Sequence, residues 1–122
     1  MSLTNRNVKQ LAQSHPSGTG AATIYSPNTD ILTHMTRITV TNTSGGAVVG
    51  TLYHDEDGTT YTAVTEIWEG SVAANSTSMI LEVKSDLGGI VMRNSSGNLA
   101  FKSASGSTLT ITVYGEEVGK ER

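Results

Sequence analysis

Hydrophobic and polar residues alternate with a period of two along several short segments of the chain. Ile38 and Val40 alternate with arginine and threonine, and a second alternating run covers residues 48–53. This periodicity is typical of strands that bury one face. Residues 42–46, Asn-Thr-Ser-Gly-Gly, separate the two runs and favour a turn. The pattern therefore predicts a β-hairpin, with mostly threonine on its polar face.

The same pattern, broken by Gly, Ser, Asn and Asp, predicts about eight short strands. The last is the most regular, because Leu109, Ile111 and Val113 alternate with threonines. No helical segment follows that would cover a parallel sheet, so an all-β, antiparallel, jelly-roll-like β-sandwich is expected. The predicted strands cover residues 22–26, 32–43, 47–54, 60–67, 79–83, 90–93, 99–101 and 108–114.

The first twenty residues differ from the rest. Val8, Leu11 and Ala12 have helical spacing, which predicts a short helix over residues 5–13 that forms on a partner. Proline and glycines then stop the helix. The chain is accordingly divided into an extended N-terminal arm, residues 1–20, and a single β-sandwich domain, residues 21–122. The alternative for the arm is an ordinary frayed terminus.

Charge adds a possible role for this arm. It carries Arg6 and Lys9 and no carboxylate, whereas all the acidic residues lie in the domain that follows. We expect the two cations to meet an acidic partner surface while Val8 and Leu11 become buried against it. These four residues are the predicted partner-binding site.

Composition narrows the classes of function. The 122-residue chain has 36% hydrophobic residues and a net charge of −3, which fits one modest domain and argues against nucleic-acid binding. Cysteine is absent, which excludes disulfides, thiolate metal sites and cysteine nucleophiles. No apolar run approaches the ~20 residues of a membrane span or forms a signal peptide, so synthesis in a cytoplasm without membrane association is expected.

The acidic turn Asp55-Glu56-Asp57-Gly58 has two interpretations. Its carboxylates could bind calcium, but they lack the regular ligand spacing of a calcium-binding loop. A solvated structural turn is the favoured interpretation. The three histidines are scattered and do not suggest zinc.

A sugar site is the other chemical candidate, because Glu66 and Glu69 flank the tryptophan Trp68. A lone tryptophan at the end of a strand is more often a core or interface residue. No serine lies in a nucleophile-elbow motif, and the paired glycines do not lead into helices. We therefore expect no catalytic, metal or cofactor site and no enzymatic activity.

From about Tyr25 to Val118 the sequence resembles small bacteriophage virion proteins with β-sandwich or jelly-roll folds. These occur as head decoration (cement) proteins and in tail parts. Three short motifs carry the resemblance: residues 38–46 running into 48–53, the small-residue loop 73–77 before residues 79–83, and Ser-Gly-Ser at 105–107 before residues 108–118.

The resemblance implies a non-enzymatic virion structural protein, a capsid decoration protein that oligomerises on the head. The expected partners are the major capsid protein or another virion protein and further copies of the chain, as a homotrimer. Threonine-rich strand faces and a modest core also favour self-association. A tail, baseplate or adaptor component and a carbohydrate-binding module are the alternatives. No cofactor, nucleic acid or membrane is expected as a partner.

Overall fold

A computed structural model of the chain describes residues 8–82, 89–93 and 95–119. This part of the chain forms nine β-strands and contains no helix. The strands are β1 (Lys9–Ser14), β2 (Ala22–Tyr25), β3 (Ile31–Asn42), β4 (Val48–Asp55), β5 (Glu66–Val72), β6 (Ser76–Glu82), β7 (Ile90–Met92), β8 (Asn98–Ser103) and β9 (Leu109–Gly119).

Two antiparallel sheets pack against each other. The front sheet has the strand order β1-β9-β3-β6, with β7 also paired to β3, and the back sheet has the order β2-β8-β4-β5. This order is that of a jelly roll, in which the chain passes repeatedly from one sheet to the other. The predicted all-β, jelly-roll-like antiparallel sandwich is confirmed.

Strands β6 and β7 share one edge of the front sheet. β6 pairs with residues 37–42 of β3, and β7 pairs with residues 33–35. Together they act as one edge strand beside β3. Seven of the eight predicted strands correspond to β2–β4 and β6–β9. The predicted strand over residues 60–67 is wrong, because it overlaps β5 only at residues 66 and 67 and residues 60–65 form a connecting segment.

The core lies between the sheets and follows the alternation. Ile38 and Val40 of β3 pair with Val113 and Ile111 of β9, and all four side chains are fully buried. Burial of these apolar side chains is the main favourable contribution to folding. The buried core residues are Met35, Ile38, Val40, Val48, Leu52, Val72, Met92, Leu99, Phe101, Leu109, Ile111 and Val113.

The predicted hairpin between residues 36 and 53 is wrong, because β3 belongs to the front sheet and β4 to the back sheet. The fully buried Asn42 holds the corner between them. Its Nδ2 donates to the carbonyl oxygens of Gly46 and Val72, at 2.8 and 2.9 Å, and its Oδ1 accepts from the backbone amide of Ser44 at 2.9 Å. These bonds turn the chain across the sandwich.

The helix predicted for residues 5–13 is also wrong in its described part. Residues 9–14 form β1, an edge strand paired antiparallel with β9. The register shifts between Gln10 and Ala12, so that Leu11 and Ala12 both pack against the core. A β-bulge of this kind reproduces the spacing that suggested a helix. The predicted arm of residues 1–20 therefore contains a strand of the sandwich itself.

Deleting residues 1–14 should destabilise the whole domain, because the deletion removes β1 and leaves one edge of β9 unpaired. We expect a large drop in melting temperature, or loss of a cooperative transition, in circular dichroism. Deleting only residues 1–7 is the matched control and should leave melting near that of the full chain. A chain without β1 that melts like the full-length protein would contradict this assignment.

Gly115→Ala should open the centre of the front sheet. A Cβ at Gly115 would lie 2.2 Å from the backbone oxygen of His34 and 2.8 Å from the Cα of Met35, and backbone atoms cannot move aside without separating β3 from β9. We expect a loss of about 2 kcal/mol or more in the free energy of unfolding, measured by urea titration. Gly119→Ala, in the same strand with no atom within 4 Å, is the control and should cost much less.

Candidate functional site

Threonines dominate the outer face of the front sheet. Thr39 and Thr41 of β3 pair with Thr112 and Thr110 of β9, and Thr77 of β6 lies opposite Thr41 on the other side. Their neighbours along β3 and β9 point into the core, so these threonines point outward. Three adjacent strands thus place threonines on one outer face, which we call the front face. Thr77 is exposed there, Thr39, Thr41 and Thr110 are half-buried, and Thr112 is only 8% exposed.

Polar side chains on the front face hydrogen-bond to one another across neighbouring strands. Hydroxyls that are already paired lose less free energy when water is removed than unpaired hydroxyls do. The face can therefore be covered by another surface at a modest desolvation cost. The pairs are Gln13 Nε2 to Thr112 Oγ1 (3.1 Å), His15 Nδ1 with Thr110 Oγ1 (2.8 Å) and Thr41 Oγ1 with Thr77 Oγ1 (2.9 Å).

A groove of about 470 Å³ opens at one end of the front face. Arg37 and Glu82, exposed and paired across β3 and β6, bring opposite charges to it, while Tyr114 brings an aromatic ring. The groove can therefore receive a partly apolar, partly polar surface. Its lining residues are Val8, Thr36, Arg37, Thr39, Glu82 and Tyr114.

Exposed apolar side chains add to the front face. Val8 is 61% exposed at the groove, and Met79, opposite Thr39 on β6, is 44% exposed. Val91 and Val118 are exposed on the outward side of β7 and β9. These four side chains belong to different elements and are spread over the face, so they add apolar area to it without forming one patch.

The outer face of the back sheet is different, because a connecting segment of the chain covers part of it. Tyr61, between β4 and β5, packs on Tyr53 with ring centroids 5.9 Å apart and hydrogen-bonds to the hydroxyl of Thr23. Tyr53 and Thr51 are consequently almost fully buried although they point outward. Exposed apolar side chains occur on this side as well, at Val49 of β4 and at Val64 in the covering segment.

The structure separates the residues that were predicted to bind a partner. Val8 lines the groove on the front face. Lys9 forms an ion pair with Glu117 at 3.2 Å, and Leu11 packs against the core. Arg6 lies outside the described residues. Val8, Lys9 and Leu11 therefore lie in three different environments. The helical spacing of Val8, Leu11 and Ala12 came from the bulge in β1, whereas Lys9 was included for its charge. The binding of a partner by these residues stays a prediction.

Lys9 belongs to a polar cluster that joins the two sheets at one end of the sandwich. The Tyr25 hydroxyl of β2 donates to Glu117 Oε2 of β9 and accepts from Thr33 Oγ1 of β3 at 2.7 Å. Burial and the Glu117 hydrogen bond raise the pKa of Tyr25 to about 12. The hydrogen bond from Tyr25, followed by contact with Lys9, lowers the pKa of Glu117 despite partial burial. The cluster is best explained as a structural connection that holds β1 and β2 to β9.

The acidic turn uses its first carboxylate internally. Asp55 accepts hydrogen bonds from the backbone amides of Thr60 at 2.8 Å and Asp57 at 3.2 Å, and these bonds lower its pKa. This geometry supports the structural interpretation of the turn. Over residues 8–82, 89–93 and 95–119, no group of three or more His, Asp or Glu side chains is placed to hold a metal ion.

The residues of the candidate sugar site do not converge. Trp68 lies in the middle of β5, packs against the core and covers Gly70, so it does not end a strand as predicted. Glu69 is on the opposite face of β5, where it accepts a hydrogen bond from Thr51 at 3.4 Å, and Glu66 pairs with the outward Tyr53. The hypothesis of a sugar site, in which Trp68 would stack on the sugar beside these two carboxylates, is therefore wrong.

A second, apolar cleft of about 410 Å³ opens between the sheets at the side of β5, β6 and β7. Hydrophobic alternation along the chain does not predict this cleft, because alternation does not show where two sheet edges stay apart. Its lining residues are Leu52, His54, Ile67, Trp68, Ile80, Leu81, Gly89, Ile90 and Val91.

The Tyr25–Glu117 pair should make stability depend on pH at both extremes. The lowered pKa of Glu117 means that its stabilising effect is present above its usual value of 4.5 and is lost as pH falls through the lower folded pKa. The raised pKa of Tyr25 favours the folded state below pH 10, and this effect is lost as pH rises from 10 to about 12.

Tyr25→Phe should remove the alkaline part of this dependence and weaken the acid part. It should also lower the free energy of unfolding near neutral pH by roughly 1 kcal/mol, through loss of the hydrogen bonds to Glu117 and Thr33. Melting temperature measured across pH is the test, with Tyr114→Phe as the control. Identical pH profiles for Tyr25→Phe and the unaltered chain would exclude this role.

No protein-family model, curated protein or solved structure matches the chain. In its described part there is no helix long and apolar enough to span a membrane. Function is therefore inferred from the residues and from the geometry of the two sheets.

Proposed function

We propose that the protein is a non-enzymatic bacteriophage virion structural protein, a capsid decoration (cement) protein that oligomerises on the head and stabilises it. The observation that carries the proposal is a jelly-roll sandwich with a threonine-rich front face that exposes Val8 and Met79. Jelly rolls are a recurrent architecture of viral capsid domains. The sequence motifs at residues 38–46, 73–77 and 105–107 resemble those of phage virion proteins, which supports the same proposal.

The physical basis of such a role is repeated weak contact. Each copy offers only a small flat surface, and a small interface binds weakly by itself. When copies associate and each touches the particle, the second and later contacts form at high effective concentration and the total attachment becomes strong. A rigid sandwich suits this task, because little conformational freedom is lost on binding.

A carbohydrate-binding module is the candidate from another class, and jelly rolls also occur among lectins. That function uses exposed aromatic rings, and Trp68 packs inward against the core. Tyr114 at the groove is the ring best placed to contact a sugar. The groove gives a single ring with one arginine and one glutamate, which supports protein contact at least as well as sugar binding.

Purified protein should co-sediment saturably with heads that lack it and should raise the temperature at which those heads disrupt. The expected reason is that bridging between capsid subunits adds contacts that must break before the shell opens. Purified tails and the Gly115→Ala variant are the controls, and mass spectrometry of purified virions should find the chain. Binding to tails alone would favour the tail or baseplate alternative, and absence from virions would refute the proposal.

A further inference from the structure

Outward-facing residues on β3 and β9 are chemically matched across the centre of the front face. Thr41 pairs with Thr110 and Thr39 pairs with Thr112. One step further along, Arg37 lies opposite Tyr114, a cation beside an aromatic ring. Each of these outward side chains on β3 can therefore pack favourably against a side chain of the type that it pairs with on β9.

We propose that a second copy of this chain packs its front face onto this one, about a twofold axis that runs between β3 and β9 along the strands. Such an axis places each β3 position opposite the β9 position with which it pairs in its own chain. Thr41 then meets Thr110, and Thr39 lies over Gln13 and the buried Thr112 to which Gln13 donates. Arg37 lies over the Tyr114 ring of the second copy, a favourable cation–π arrangement. Twofold pairs with self-complementary surfaces are the commonest homo-oligomers.

The charges in these cross-strand rows are compatible with this occupant. The same axis brings β6 of one copy over β1 of the other, because these strands flank the central pair. In the cross-strand register, Gln10 and Glu82 lie in the same row as Arg37, and Gln13 and Met79 lie in the same row as Thr39. Glu82 of one copy then faces the neutral Gln10 of the other, and Met79 faces Gln13. No two like charges of these rows are brought together, which a random pairing of charged surfaces would not ensure.

The available area also fits. Four strands at ~4.8 Å spacing and roughly nine residues of ~3.3 Å rise give a flat face of about 600 Å² per copy. Two such faces bury about 1,200 Å², which is at the lower end of specific interfaces. The lateral hydrogen bonds within the face keep the desolvation cost small, as for Thr41 with Thr77.

This inference takes from the proposed function only that copies associate, and it identifies the surface through which they do so. It also specifies two copies, whereas the resemblance implied three. The surface that remains free for a particle would then be the back sheet or the ends of the sandwich.

The first test is the mass of the protein in solution by size-exclusion chromatography with light scattering at tens of micromolar. The unaltered chain should have the mass of two copies. Met79→Arg should raise the dissociation constant of the pair by at least roughly tenfold, because the variant would bury an unpaired cation in the interface. Val49→Arg is the matched control: Val49 is 39% exposed on the back sheet, and its variant should keep the mass of two copies.

The second test is cross-linking, which the absence of native cysteine makes clean. A mixture of the Thr41→Cys and Thr110→Cys chains should be joined between copies by a short bis-maleimide reagent, because facing sheets lie about 10 Å apart, beyond the reach of a direct disulfide. A mixture of the Val49→Cys and Lys102→Cys chains, altered on the back sheet, should not. Melting by circular dichroism confirms that every variant is folded.

A mass of one or three copies for the unaltered chain, an unchanged mass for a folded Met79→Arg chain, or no selective cross-link would each overturn the inference. These results are separate from those for the proposed function. Head binding without front-face pairing removes only this inference, and pairing by a chain that is absent from virions removes only the proposed function.

Discussion

The antiparallel pairing of β3 with β9 is the constraint on which the rest of this structure depends. It extends from Ile31 opposite Gly119 to Asn42 opposite Leu109, and every other strand of the front sheet attaches to one of its sides. Because side chains alternate along paired strands, one register both fills the core and builds the threonine surface outside. Gly115 allows the two backbones to approach where the register shifts.

Two polar groups connect this ladder to the back sheet. Asn42 closes one end of the sandwich through hydrogen bonds to the corner after β3 and to β5. At the other end, Tyr25 and Glu117 tie β2 to β9, and Lys9 adds β1. Buried polar groups whose hydrogen bonds are all made specify how sheets are placed relative to each other, which apolar packing alone does less well.

The two outer faces have unequal chemistry, and this inequality is what bears on function. Tyr61 shields part of the back sheet, whereas the front sheet presents laterally bonded threonines with Met79 and Val8 exposed beside them. A surface of this kind is suited to contact with a flat, rigid partner. The proposed attachment through repeated small contacts makes use of this difference between the two faces.

The sequence by itself determined the strand-forming segments of β2–β4 and β6–β9, most of their inward-facing residues and the threonines of the front face, because period-two alternation records which side of a strand is buried. Only the tertiary structure decided which strands lie next to each other. Alternation is the same whether β4 pairs with β3 or crosses to the other sheet, and a bulge at Leu11 made an edge strand resemble a helix. Trp68 was placed inward by the space above Gly70, and Lys9 was placed beside Glu117 by the register of β1. These are contacts between residues distant in the chain, and local pattern carries no information about them.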